Sequence, residues 1–374
     1  MMTSIQSGLK KFIKTALWWS LLLSVLVLSV FYAFPALTSE SEGSDNDENQ
    51  PAVISLWHID TFEGGKGSRA AFLKNVALSY CRNKNTIIMV SSYSAAGARS
   101  AFESGSYPDM LSFGIGLNVD PAVFSAFKFS ELFSVEAEKD STNVAAAAKQ
   151  SGNEALAVAW CCGCYGLYSK NGDFSRVSAD TALISSGGSN LATVAAAMRL
   201  GKVSAGSVKE STAAYVDFLN GKSEYLFGTQ RDAYRFCSRG VEVRANAVTE
   251  YNDLFQYIGV TQKTNGNDAA QKRAKEECAA FLKYLLSRQV QSTLYKIGMF
   301  SPYFRIYAPI AAESAETALS AELENGWFEK GVNHTIGVFL SDATYAQADK
   351  FAREGNVTAL KKFLKHCETP SKHF

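Results

Sequence analysis

The sequence is short of the residues that most often carry catalysis, and neither charge is in excess. Only four of its 374 residues are histidine: His58, His334, His366 and His373. None lies in a GxSxG, HExxH or P-loop setting, so no nucleophile–base set is recognisable and a hydrolase is disfavoured. The formal net charge is +1. Without a basic field to hold a polyanion, a nucleic-acid partner is excluded. No internal repeat runs along the chain, which excludes a solenoid. Residues 1–38 contain no acid at all, whereas beyond them 34 basic residues face 36 acidic ones.

That acid-free N-terminus carries Lys10, Lys11 and Lys14 ahead of an uncharged run from Thr15 to Phe34. A helix of about 20 residues rises about 30 Å, the thickness of a bilayer's hydrocarbon core. The apolar region of a secretory signal is shorter, about 7–15 residues. Trp18, Trp19 and Tyr32 lie near the two ends of the run, where amphipathic rings favour the membrane interface. Lysines on the N-terminal side place residues 1–14 in the cytoplasm and the folded part outside it. The expectation is therefore a transmembrane anchor or signal at 15–35, single-pass at the cell membrane. Ala33-Phe34-Pro35-Ala36 is a poor small-x-small cleavage site, which favours an uncleaved anchor over a signal peptide. No cysteine follows the run closely, which excludes bacterial-type lipidation there. Residues 36–50 end in TSESEGSDNDENQ, polar and acidic, and read as a flexible linker.

The seven cysteines are an odd number, so at least one thiol stays unpaired in a monomer. Cys161-Cys162-Gly163-Cys164 is too tightly spaced for a C-x₂₋₄-C zinc knuckle, and no histidine follows nearby. Packing in a buried strand is the commoner arrangement for such a cluster. No metal and no cofactor is expected. Gly64-Gly65-Lys66-Gly67-Ser68 resembles a phosphate loop only superficially, because Lys66 is followed by glycine; a tight turn onto a helix is the plainer reading.

From Pro51 strands and helices alternate. The apolar, β-branched run 52–59 predicts a buried strand, followed by a glycine-rich turn and a helix to Arg82. Strands are expected at 86–92 and 110–113, with a helix at 95–104 between them. This β-α-β-α-β order predicts an α/β fold with a parallel sheet covered by helices on both faces. A long apolar strand is expected at 156–169. Beyond it come helices at 190–200 and 213–219, with Ser189 or Asn190 as N-cap of the first. Strands are then expected at 224–228, 241–248 and 254–260, and helices at 269–287, 312–324 and 345–364. Open sheets of this kind bind ligands at the carboxyl ends of their strands. Trp57, His58 and Asp60 end the first strand, Tyr93 and Ser94 the second, and Phe113 and Gly114 the third. Aromatic faces stack on sugar rings, and Asp, Asn and Gln bond their hydroxyls in pairs. Core packing is the commoner role of a single aromatic; Trp57 stands out because Asp60 and a glycine turn follow it.

Five segments, in this order and spacing, resemble the extracellular solute-binding proteins of carbohydrate ABC importers. They are VISLWHID, SGSYPDMLSFG, AVAWCCGCYGLYSKNGDF, SEYLFGTQRDAYRF and FLKYLLSRQVQSTLYKIGMFSP. The resemblance spans about residues 52–370 and implies a two-lobed type II periplasmic-binding-protein-like fold. Lobe 1 would comprise 51–161 and 258–303, and lobe 2 would comprise 162–257 and 304–374. The implied ligand-binding residues are Trp57, Asp60, Tyr93, Phe113 and Gly114 from the first lobe. Trp160, Tyr165, Asn190, Gln230 and Arg231 would come from the crossover and the second. The implied role is noncatalytic capture of a small molecule, a sugar, by hinge closure, with ABC permease subunits as partners and the membrane reached through the N-terminal helix. Arg231 also fits a carboxylate or phosphate through its planar fork. The chain departs from the pattern in its protein anchor and its cysteine-rich crossover. Both leave open the alternative of a ligand-sensing receptor domain serving a membrane signalling partner.

Overall fold

The computed structural model describes residues 18–19, 50–128, 132, 154–264 and 268–368. Apart from Trp18, Trp19 and Gln50, the expected anchor and linker lie outside the described residues. Among those described, no helix is long and apolar enough to cross a membrane.

The first sheet grows from β1 (Ala52–Ile59), whose residues from Leu56 to Ile59 are all buried. Helix α1 (Arg69–Cys81) starts at Ser68, whose side chain accepts the Ala71 amide. Strand β2 (Thr86–Tyr93) and helix α2 (Ala95–Glu103), capped by Ser94, follow. Strand β3 (Met110–Phe113) then enters beside β1. β1 pairs in parallel with both β2 and β3. Asp109, just ahead of β3, locks that register: one carboxylate oxygen accepts from the Ser55 amide at 2.7 Å and the Ser55 hydroxyl at 2.6 Å.

The apolar stretch expected as one long strand is two. β6 (Val158–Cys162) closes the first sheet, and β7 (Tyr165–Ser169) belongs to the second. They follow a two-stranded antiparallel pair, β4 (Phe127–Lys128) with β5 (Glu154–Ala155). Gly163 and Cys164 make the break. A Cβ at Gly163 would stand 2.6 Å from Gln230 Nε2, so a larger residue would displace the Gln230 side chain that accepts the Cys164 amide.

The second sheet adds β8 (Ala182–Ser186), helix α3 (Ala192–Leu200), β9 (Val208–Glu210) and helix α4 (Ser211–Leu219). β10 (Tyr225–Thr229), helix α5 (Gln230–Ser238) and β11 (Arg244–Ala247) complete it in the order β11-β7-β10-β8-β9. The expected strand at 241–248 is thus only four residues long. α5 starts where the sequence reading stopped at a glycine turn: Thr229 and Asp232 form a reciprocal capping box. α3 is preceded by Leu191 rather than by a capping side chain.

β12 (Phe255–Val260) returns to the first sheet, in the order β2-β1-β3-β12-β6. It runs antiparallel to β3 and to β6. The expected all-parallel sheet is therefore mixed, because the chain re-enters it from the second sheet rather than through a crossover helix. The two crossings lie side by side: the Gly163 amide donates to the Leu254 carbonyl at 2.7 Å, and Asn252 Nδ2 donates to the Gly163 carbonyl at 2.9 Å.

Helix α6 (Ala269–Leu285) buries Cys278, Phe281, Leu282 and Leu285 and packs on β1 and α1. After the short α7 (Arg288–Gln291), helix α8 (Ala315–Lys330) packs on β11 and α5. Its fully buried Glu324 accepts the amides of Ile306, Tyr307 and Ala308 at 2.7, 2.8 and 3.2 Å, fixing the approach to the second lobe. The helix expected at 345–364 is split into α9 (Asp342–Arg353) and α10 (Val357–Glu368) at Gly355, whose φ is +70°. Both pack on α3.

Candidate functional site

The loop after β1 lies against the second lobe. Phe62 forms an antiparallel bridge with Gly188, and the Ser189 amide donates to the Thr61 carbonyl at 2.6 Å. Gly188 has φ +69°, and a Cβ there would stand 2.9 Å from Phe62 Cα, so a larger residue would push the lobes apart. Glu63 reaches across to Arg231 Nη1 at 2.7 Å and to the Ser211 hydroxyl at 2.8 Å. Lys66 pairs with Glu316 of α8 at 2.6 Å. Gly65 and Gly67 pack against the 297–299 turn. The amides of Lys66 and Gly67 donate to the Ile297 carbonyl at 2.9 and 3.3 Å, so they are not free to cradle a phosphate.

A buried hydrogen-bond chain aims this loop. Ser112 Oγ, in β3, lies 3.0 Å from Trp160 Nε1, 3.2 Å from Gln256 Nε2 and 3.0 Å from His58 Nδ1. The first two are donors and fill the hydroxyl's lone pairs, so its own hydrogen goes to His58 Nδ1. His58 therefore carries its proton on Nε2, facing Asp60 Oδ1 at 2.9 Å. Arg69 Nε meets the same oxygen at 2.6 Å, and its Nη2 holds the Phe62 carbonyl. Burial alone would raise the Asp60 carboxyl; the His58 hydrogen bond and the Arg69 charge outweigh it and hold it well below the usual carboxylate range.

Between the lobes, at the carboxyl ends of β1 and β10, lies a cavity of about 380 Å³. The β1 loop contributes Asp60, Glu63 and Lys66, with Arg69 from α1; α5 contributes Arg231, Tyr234 and Arg235. The last three fall at i, i+3 and i+4 and so share one helix face. Arg235 Nη1 also bonds Asp232 at 3.1 Å and the Ser211 hydroxyl at 3.3 Å. This is a charge-paired, hydrogen-bonding chamber with an aromatic at its edge.

Of the residues expected from sequence, Asp60 and Arg231 line this cavity. Gln230 lies buried behind it, where Oε1 accepts the Cys164 amide at 3.0 Å. Gly114 packs against Thr61; a Cβ there would stand 2.1 Å from the threonine hydroxyl. Trp57 and Tyr93 are elsewhere. By strand alternation they face the opposite side of β1 from His58. They stack at 4.3 Å between ring centroids, and the stack continues through Phe102 to Tyr107. Phe113, Trp160 and Tyr165 carry no exposed surface. Phe113 packs on Phe124 and Phe339, and Trp160 on Phe72. The Tyr165 hydroxyl accepts from Asn190 at 3.0 Å and donates to Asp253 at 2.7 Å. Trp57→Ala should therefore act mainly on the fold. The expected loss is about 3 kcal/mol of unfolding free energy, read from urea midpoints, with the cavity-lining residues left in place.

Sequence reasoning did not single out Glu63, Arg69, Tyr234, Arg235 or Ser211, and weighed Lys66 only as part of a superficial phosphate loop. The i,i+4 spacing of Arg231 and Arg235 was the available signal, because it places both on one face of α5. The cysteine cluster is packed in β6 and the crossing, and burial pushes the Cys161, Cys162 and Cys164 thiols up, away from the thiolate that metal binding or nucleophilic attack requires.

No family model matches the chain, and no curated protein does. Solved structures match it with high probability over most of its length, many of them sugar- or oligosaccharide-binding proteins. A cyclic α-maltosyl-1,6-maltose-binding protein of Arthrobacter globiformis is 12% identical, with a TM-score of 0.56, over 85% of this chain and 97% of its own. A Streptococcus pneumoniae solute-binding protein solved with the blood group A trisaccharide is 12% identical, with a TM-score of 0.55, over 84% and 98%. A family 1 extracellular solute-binding protein of Alicyclobacillus acidocaldarius is 12% identical, with a TM-score of 0.51, over 86% and 99%. From Pro51 onward, the chain has the two-sheet α/β fold of these solute-binding proteins.

Proposed function

We propose that this chain is a noncatalytic, extracytoplasmic solute-binding protein that captures a small carbohydrate between its lobes and delivers it to the permease subunits of an ABC importer. In this reading, residues 15–35 hold it at the membrane and residues 36–50 tether it. The observation that carries the proposal is the 380 Å³ cavity, lined from both lobes at the carboxyl ends of their strands. Its hydrogen-bonding donors and acceptors suit a polyhydroxylated ligand, and the named ligands of several proteins with this fold are oligosaccharides. The paired crossings at Gly163 and at 252–254 are where a hinge would bend.

A thermal-shift screen of the full-length chain against mono- and oligosaccharides, amino acids and acidic metabolites tests this. A ligand at about 100 times its dissociation constant adds about 2.7 kcal/mol, a rise of a few degrees in Tm. A saturable rise with a carbohydrate series and no turnover is expected. A rise with amino acids alone, or release of product, contradicts the reading.

A further inference from the structure

We infer that the solute carries an anionic group, a carboxylate or phosphate on a small polyhydroxylated molecule, and that Arg231, Ser211 and Arg235 recognise it. The inference rests on the reading that this cavity is where a solute is captured. The geometry is supplied by the chain itself. The Glu63 carboxylate of the first lobe sits on the second lobe with Arg231 Nη1 at 2.7 Å and Ser211 Oγ at 2.8 Å, and Arg235 backs the serine at 3.3 Å. Gly187 gives the carboxylate room: a Cβ there would stand 3.0 Å from Glu63 Cδ. One arginine, one hydroxyl and a second arginine behind it form a donor set fitted to an oxyanion.

Glu63 is a removable occupant. Its side chain is 38% exposed and that of Arg231 36%, and ion pairs this open to water contribute little. The remaining cavity-lining cations have other partners. Lys66 pairs with Glu316, and Arg69 with Asp60, so neither depends on Glu63. When the lobes part, Glu63 leaves with the first lobe while Arg231, Ser211 and Arg235 stay together on the second. A ligand oxyanion then takes the place that Glu63 vacates beside Arg231 and Ser211.

Calorimetric titration of the full-length chain with glucose and galactose, their uronates and their 6-phosphates tests this. The expected result is that a uronate or a phosphate binds at least about tenfold more tightly than its neutral parent, with affinity falling as salt rises. Which of the two binds tells carboxylate from phosphate. Arg231→Gln should lower that affinity about tenfold or more, and Glu63→Gln should raise it about two- to fivefold by removing the competing charge. Binding of the neutral sugars as tight as that of the acids would overturn the inference and leave the capture reading standing. So would an anion affinity that Arg231→Gln does not change. If no sugar of any charge binds, the capture reading fails and the inference falls with it.

Discussion

Trp160→Ala is expected to destabilise the chain by about 4–5 kcal/mol, the upper part of the range for deleting a buried indole. Trp160 has no exposed surface. Its ring stacks on Phe72 of α1 at 5.9 Å and meets the edge of His58 at 6.2 Å, so alanine leaves a cavity between α1 and the first sheet that neither neighbour can fill. Its Nε1 also saturates Ser112 Oγ at 3.0 Å, and the Ser112–His58–Asp60 chain aims the loop that reaches the second lobe. Trp160→Phe separates the two effects: it keeps most of the packing and removes the donor, and should lose only about 1 kcal/mol from the hydrogen bond plus a small packing term. Urea unfolding of both variants checks this. Equal losses in the two would mean that the ring's volume matters little and the hydrogen bond is dominant.

The second large effect is one of pH. Asp253 is buried at the return crossing, where it accepts from the Tyr165 hydroxyl and the Leu191 amide, both at 2.7 Å. Burial outweighs those hydrogen bonds and raises its carboxyl to about 6 from the ordinary 3.8. Between those values the folded chain holds a proton that the unfolded chain has released. Asp253 therefore favours folding fully below about pH 4, and that contribution is lost as pH rises to about 6. At 1.36 kcal/mol per unit the loss is about 3 kcal/mol. Asp60 has the opposite sign, but it acts only below the ordinary carboxylate value. Asp232 and Glu324, also raised by burial, act in the same direction as Asp253. Subtracting the pH profile of Asp253→Asn from that of the native chain isolates the one residue. A difference that grows by about 3 kcal/mol from pH 4 to 7 is expected; parallel profiles would show that Asp253 titrates normally.

The first three strands and two helices of the chain were legible because their signals are local. Ser68 and Ser94 cap the helices, and β-branched runs fill β1 and β2. The break at Gly163 was hidden inside an apolar stretch, because both halves are buried and nothing in their composition marks a change of sheet. β12 reads as an ordinary buried strand; its antiparallel direction depends on where the chain has come from. α5 was masked by the glycine before it, although Thr229 and Asp232 carry a capping box. The aromatic bias of the site reading had a similar origin. Trp57 and Tyr93 do end strands, but strand alternation turns them to the outer face. Asp60 and Arg231 line the cavity because each lies just beyond the carboxyl end of its strand. Glu63 pairs with Arg231 and Ser211 across the two lobes, at separations no local pattern shows.

Amide hydrogen exchange on the full-length chain, with and without the solute that raises its Tm, tests the central claim most directly. Capture between the lobes is expected to protect residues 60–69 and 229–235 together, with smaller changes at the crossings 163–164 and 252–254. Protection confined to 179–183 and 204–209, which line a separate cavity of about 550 Å³ on the second lobe, would place the ligand elsewhere and contradict it.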